Sequence, residues 1–320
     1  MANLELAIQN GSTIYYPPIE SGVIWETERK GMPGKITFTV IKGSGISFQE
    51  GNPVSLKLGN LKLFYGFVFS KKRDKKQHIK VVAYDQLRYF KNKDTIVYTN
   101  KTAGEVLRLI ASKFNLRTGT IENTDYKIEA RVEEDKGMFD VIQTALDLTL
   151  QNKKKMFVLY DDFGELNLRD VESMKLDLLI DEETGENFDY SSSIDGETYN
   201  RIKLSYDNEK TGKREIYIAQ DSKNINNWGV LQYFEKIDEK VNGKAKADIL
   251  LQLFNKKTRN LVIKNAFGDP RVRGGSAIVV KLNLGDIVTQ NYMMVEKVKH
   301  TFNESEHWMD VTLRGGEFIA

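Results

Sequence analysis

Alternation of apolar and polar positions dominates the start of the chain. Ile36, Phe38 and Val40 alternate with Thr37, Thr39 and Ile41, and Val54-Ser-Leu-Lys-Leu58 repeats the pattern. Residues 64–69 followed by 78–84 read as a hairpin. Pro17-Pro18, Gly31-Met-Pro-Gly34, Gly43-Ser-Gly45 and Gly51-Asn-Pro53 fall between these runs, where turns are needed. Residues 1–98 are therefore expected to form a small antiparallel barrel or sandwich.

The period then changes. Thr102-Ala-Gly-Glu105 has the form of a capping box, and Val106, Leu107, Ile110, Ala111 and Phe114 follow on one helical face. A second helix is expected over residues 138–150, with Val141, Ile142, Ala145, Leu146 and Thr149 buried. Short strands at 156–160 and 165–169 flank the turn Asp161-Asp-Phe-Gly164. Residues 99–172 thus read as a small α+β insertion domain.

Between Glu172 and Glu197 nine acids face the single base Lys175, so residues 173–198 read as a solvated acidic connector. Strands return at 201–206 and 214–219, around the turn Asn208-Glu-Lys-Thr-Gly-Lys213. A helix over 244–257 turns Ala245, Ile249, Leu250 and Leu253 inward, and further strands cover 261–267, 276–282, 292–302 and 308–313. Residues 199–320 are expected to form a second β domain with one inserted helix. Both β segments run glycine turn, alternating strand, aromatic- or Met-rich strand, polar turn and His-led strand, the last starting at His78 and at His307. The order suggests duplication. Identity between the two is low, and any two antiparallel meanders share part of this order.

At 320 residues the chain is about twice the usual size of one domain, which suits two or three units. Hydrophobic residues make up 40% and charged residues 29%, with a mean hydropathy of −0.45, so much of each unit is expected to face water. Lys+Arg 47 against Asp+Glu 45 gives a net charge of +2, too balanced for a dedicated nucleic-acid binder. With no cysteine there is no disulfide framework, thiolate metal site or cysteine nucleophile. No signal peptide or membrane-spanning apolar run is read in the sequence, and neither export nor membrane insertion is expected.

Few residues offer chemistry. Asp162-Phe-Gly164 imitates a kinase magnesium motif without the other kinase elements, and a hairpin turn is the favoured reading. Thr211-Gly-Lys-Arg214 and Gly43-Ser-Gly45 lack the spacing of phosphate-binding loops. His300 and His307 flank the turn Asn303-Glu-Ser-Glu306 and could face each other across a hairpin. With Glu304 or Glu306 they would offer a weak metal site, but sheet-surface histidines are the commoner case. Asp181-Glu-Glu-Thr-Gly-Glu186 lacks the ligand order of a calcium loop. No pair of carboxylates stands out as acid and base. The run Lys71-Lys-Arg-Asp-Lys-Lys76 reads as a soluble hairpin tip, and Asn10-Gly-Ser12, Asn100-Lys-Thr102 and Asn303-Glu-Ser305 mean little as glycosylation sites without a secretion signal. No catalytic, cofactor-binding or metal-binding residue is assigned.

Four stretches together carry a resemblance. They are Phe64-Tyr-Gly-Phe-Val68 with its closing Val82-Ala-Tyr-Asp85; the capped helix at Thr102; Asn265-Ala-Phe-Gly-Asp-Pro-Arg-Val-Arg-Gly-Gly275; and Val295-Glu-Lys-Val-Lys-His300 with His307-Trp-Met-Asp-Val-Thr-Leu313. In this order they resemble the baseplate hub proteins of contractile phage tails and phage-tail-like bacteriocins, the XkdQ-type hubs related to late-control D proteins. The resemblance implies a mainly β fold with two tail-tube-like antiparallel β-barrel domains separated by a small α+β domain. It implies a homotrimer that joins a sixfold tail tube, or its initiator, to a threefold spike protein, with contacts to the tape-measure protein and other baseplate proteins. It also implies a structural role without catalysis or cofactor, in a virion or tailocin particle assembled in the bacterial host cytoplasm. Some such hubs carry a fused cell-wall hydrolase, for which this chain is expected to have no room. Two competing readings are a peptidoglycan- or carbohydrate-active β-domain enzyme, which needs paired carboxylates in a cleft, and a glycan-binding module using Trp25, Trp228 and Trp308.

Overall fold

The computed structural model describes residues 4–41, 45–208, 211–237, 239, 241–283, 288–304 and 306–315. The fold is mainly β and forms two compact units, Met1–Asp189 with Val262–Leu313, and Tyr190–Leu261 with Arg314–Ala320.

In the first unit, β1 (Leu4–Asn10), β2 (Thr13–Tyr15), β3 (Val23–Glu28), β4 (Lys35–Val40), β5 (Pro53–Leu58), β6 (Leu61–Arg73) and β7 (Ile79–Tyr84) pair antiparallel in the order β3-β4-β7-β6-β5-β1-β2. The period-2 pattern holds: Ile36, Phe38 and Val40 point into a core shared with Leu6, Val54, Leu56, Phe64 and Val81. β6 and β7 form the expected hairpin.

A layer of helix on strand follows. Asp85 caps a short 3-10 turn, Gln86–Lys91, which leads into β8 (Lys93–Lys101), α1 (Ala103–Lys113), β9 (Thr118–Ile121), β10 (Ile128–Gly137), α2 (Met138–Lys153), β11 (Phe157–Asp161) and β12 (Leu166–Asp170). The capping box at α1 is complete. Thr102 Oγ1 accepts from the Glu105 N–H at 3.3 Å, and the Glu105 carboxylate accepts from the Thr102 N–H at 2.7 Å. α2 buries the five expected residues, and Val106, Leu107 and Ile110 of α1 meet Val141, Ile142 and Leu168 in one core.

The acidic stretch, expected as a solvated connector, is largely strand. It forms β13 (Lys175–Asp181) and β14 (Asn187–Ser193), and β13 runs parallel to β19 (Ala277–Asn283), with Asp181 opposite Lys281. Leu176, Leu178 and Ile180 are the more buried positions of β13, whereas Asp177 lies between the first two and Asp181 follows the last; a strand with one wet face tolerates charges there.

β18 (Thr258–Phe267), β20 (Val288–Phe302) and β21 (His307–Gly315) complete the large sheet, which runs β14-β18-β21-β20-β3 and onward. The path does not close among the described residues. β20 forks the sheet: its first half pairs with β19 up to Met294, and from Lys297 it pairs with β3. The two β-rich ends of the chain are therefore one hydrogen-bonded sheet.

The second unit holds β15 (Arg201–Asn208) between antiparallel β16 (Lys213–Gln220) and parallel β17 (Gln232–Lys236), with α3 (Ser222–Trp228) and α4 (Gly243–Phe254). Ala247 and Leu250 of α4 cover Ile202 and Leu204. Ala245, expected inward, is exposed, because the buried face of the helix runs through Gly243, Ala247 and Leu250 instead, and Ala245 lies off that face with its N–H donated to the cap residue Asn242.

Candidate functional site

The polar groups of the first unit converge on one loop, residues 268–276, between β18 and β19. It sits at the fork of β20. The Gly275 N–H donates to Val295 O at 2.8 Å, the Val295 N–H donates to Ser276 O at 2.8 Å, and the Arg29 N–H donates to Glu296 O at 2.8 Å. These bonds serve the backbone of β20 where it leaves one partner strand and has not yet reached the next. The side chains of Arg29 and Glu296 pair at 2.9 Å beside them.

Glycine is required here by distance. A Cβ on Gly274 would lie 2.3 Å from the Glu28 carbonyl carbon. One on Gly275, whose φ is +95°, would lie 2.5 Å from Val158, and one on Gly268 would lie 2.2 Å from the His307 ring. The Gly274 N–H donates to Thr27 Oγ1 at 2.9 Å. Arg273 reaches out of the loop: its Nη2 donates to Asp161 O at 2.6 Å and its guanidinium lies 4.1 Å from the Tyr160 ring centre.

On one side of the loop lie the histidines, facing each other across the hairpin as expected. His300 is fully buried, not on the sheet surface, and stacks on Trp25 at 4.9 Å between ring centres. Its Nε2 is 2.9 Å from Val272 O, which can only accept, so Nε2 carries the proton and Nδ1 accepts from His307 Nε2 at 2.9 Å. Burial, with His307 adding to it, lowers the His300 pKa to about 3, and burial lowers that of His307 to about 4. Both rings are neutral at pH 7, and both nitrogens of His300 are engaged. Glu306 accepts from Trp308 Nε1, and no cluster of three metal-ligating side chains occurs among the described residues.

On the other side lie two carboxylates that the sequence did not single out. Asp85 and Asp161 are each 5% exposed. Asp85 accepts the Gly34 N–H at 2.8 Å and the Leu87 N–H at 3.0 Å, and Asp161 Oδ1 accepts the Gly164 N–H at 2.7 Å. Burial, then the charge of Asp161, pushes the Asp85 pKa well up. Burial raises Asp161 to about 6 against the opposing charge of Arg273. Three separate segments meet here, which is why no local motif announced the pair. The partial signals were Asp85 closing the aromatic strand and Arg273 before a Gly-Gly.

The remaining candidates lie in turns, strands and helix ends. Asp162-Phe-Gly164 is a hairpin turn with Phe163 at φ 52° and Gly164 at φ 88°. Asp181 organises the β13–β14 turn through Thr184. Lys71 donates to Phe48 O. Trp25 is core, Trp308 stacks on Phe267, and Trp228 ends α3. Gly43, Ser44, Glu209, Lys210 and Ser305 lie outside the described residues.

A second feature lies on the outer face of β6 and β7. Phe163, Tyr65, Phe67, Tyr89, Phe69 and Tyr84 form an unbroken belt of half-buried rings, successive centres 5.5–6.4 Å apart. Lys62, Arg117 and Arg88 each stack on it, 5.2, 5.4 and 5.3 Å from the rings of Phe163, Tyr65 and Phe69. Beneath the belt, Gly66 allows β6 to approach the β7 backbone, since a Cβ there would lie 2.2 Å from Tyr84 O. A groove of about 260 Å³ opens among Tyr65, Phe67, Tyr89, Phe114 and Arg117.

Comparison with known proteins accords with this architecture. The chain is 31% identical over 307 residues to the phage-like element PBSX protein XkdQ of Bacillus subtilis, covering 92% of this chain and 91% of that one. It is 30% identical over 306 residues to YqbQ of the same organism, with the same coverage. Among solved structures, the 43 kDa tail protein of prophage MuSo2 from Shewanella oneidensis has a TM-score of 0.70 at 10% identity, over 99% of this chain and 100% of that one. A component of the Escherichia coli type VI secretion system, itself similar to phage T4 tail proteins, has a TM-score of 0.58 at 12% identity, over 99% and 78%. The YQBQ-like family model matches residues 23–314, and the chain belongs to the YQBQ-like family.

Proposed function

We propose that the protein is the structural hub of a contractile phage-tail or tailocin baseplate, a homotrimeric adaptor between a sixfold tail tube and a threefold spike. The observation that carries this reading is the fold shared over essentially the whole length of a tail protein, together with 31% identity to a protein of a phage-like element. The meanders β5-β6-β7 and β19-β20-β21 have the same strand order. They are read as matching parts of two tube-like modules, the first in residues 1–98 and the second in 199–320. Residues 99–172 are then an α+β insertion, and 173–198 join the modules. Two similar modules in each of three chains give six equivalent positions toward the tube while keeping threefold symmetry toward the spike, provided the head-to-tail contacts close.

In this reading the tube or its initiator, the spike and the tape-measure protein are the partners, and the particle assembles in the host cytoplasm. The loop at the fork is read as a rigid joint and not a catalytic centre: both oxygens of Asp85 and Oδ1 of Asp161 accept backbone N–H groups of turns and caps, while Asp161 Oδ2 is buried without a hydrogen-bond partner. Light-scattering mass of the protein mixed with its spike tests the reading. Three copies of this chain per spike trimer are expected, and a chain that stays monomeric beside a spike it binds would contradict it.

A further inference from the structure

The aromatic belt carries three cations and no anion. Among the described residues none of Lys62, Arg88 and Arg117 has a carboxylate within ion-pair distance, although each is held over a ring. Elsewhere on the same unit the complement is found. Residues 181–189 present Glu182, Glu183 and Asp189, all exposed and without a basic partner among the described residues, and beside them Phe188, an aromatic left 40% exposed. An exposed phenyl ring with two carboxylates in the turn before its strand matches a groove of rings flanked by guanidinium groups in both apolar and charged character. The two surfaces cannot be assumed to meet within one chain. β14 is a terminal strand, and six strand-to-strand steps separate it from β7, about 30 Å measured along the sheet.

We infer that the belt is the docking face for a second copy of this chain, whose Phe188 enters the groove beside Tyr65 and Tyr89 while Glu182 and Glu183, in the turn that precedes its strand, pair with Arg117 and Arg88. The contact joins two different surfaces, so it is head-to-tail and can close a ring. The inference rests on the trimeric-hub reading and names the interface that reading requires.

The chain has no cysteine, which allows a clean crosslinking test. Thr118→Cys, beside Arg117, and Asn187→Cys, beside Phe188, are both at exposed positions. Assembled particles carrying both changes, treated with a short bis-maleimide, should yield closed hub trimers on denaturing gels, and particles carrying either change alone should not. In a second arm, Arg88→Glu with Arg117→Glu should lower particle yield by about tenfold or more, and adding Glu182→Lys with Glu183→Lys should restore most of it. Thermal melting of the isolated variants should match the parent chain, which separates lost contact from lost folding. A threefold hub in the particle without this crosslink, or with the Thr118→Cys variant joined to a different protein, overturns the interface and leaves the ring reading standing. A hub that is not threefold removes both.

Discussion

The two polar clusters that flank the 268–276 loop are built by the same force and respond to pH in opposite ways. Burial disfavours charge, so it lowers the histidines to about 3 and about 4 and raises Asp161 to about 6. As pH falls below the ordinary histidine value of 6.5, the unfolded chain takes up protons that the buried pair refuses, so the histidine side loses stability in acid. Asp161 runs the other way: between 3.8 and about 6 the folded state holds its proton more tightly, so stability falls as pH rises through that window. The lesson is that a loop can be fixed from both sides by buried polar groups whose pH dependences partly cancel.

The largest effect should come from removing what both clusters share. Gly274→Ala drives a methyl group into the Glu28 backbone and should cost about 3 kcal/mol or more, measured by denaturant unfolding. Next, His300→Phe keeps an aromatic ring against Trp25 but strands Val272 O and the His307 N–H. A loss of about 1–3 kcal/mol is expected at pH 7, with a weakened fall of stability in acid. Asp161→Asn keeps an acceptor for Gly164 while removing the titration. Its stability should rise more steeply with pH between about 4 and 7 than that of the parent, by about 1–2 kcal/mol over the window; an unchanged slope would show that Asp161 titrates normally. The smallest effect calibrates the rest. Thr102→Ala, in the helical layer, should cost about 1 kcal/mol without altering the pH profile between about 5 and 8.

The strands of the β-rich ends were legible because Ile36, Phe38, Val40 and their counterparts obey a period of two, and α1 was legible because its capping box is local. β13 was not, because averaging charge over Asp177, Asp181 and their neighbours hides the inward row Leu176, Leu178 and Ile180. The fork of β20 was invisible for a different reason: one unbroken strand gives no sign that its partner changes between Met294 and Lys297. The buried carboxylates escaped because Asp85, Asp161 and Arg273 come from three segments. Their shared environment exists only after folding.

The central claim, a threefold structural hub, is tested most directly by a density map of the assembled baseplate resolved well enough to trace this chain. Three copies should form one ring at the junction of tube and spike, each contributing two similar modules to a near-sixfold face. Six copies in the ring, or a chain lying away from the tube axis, would contradict the account.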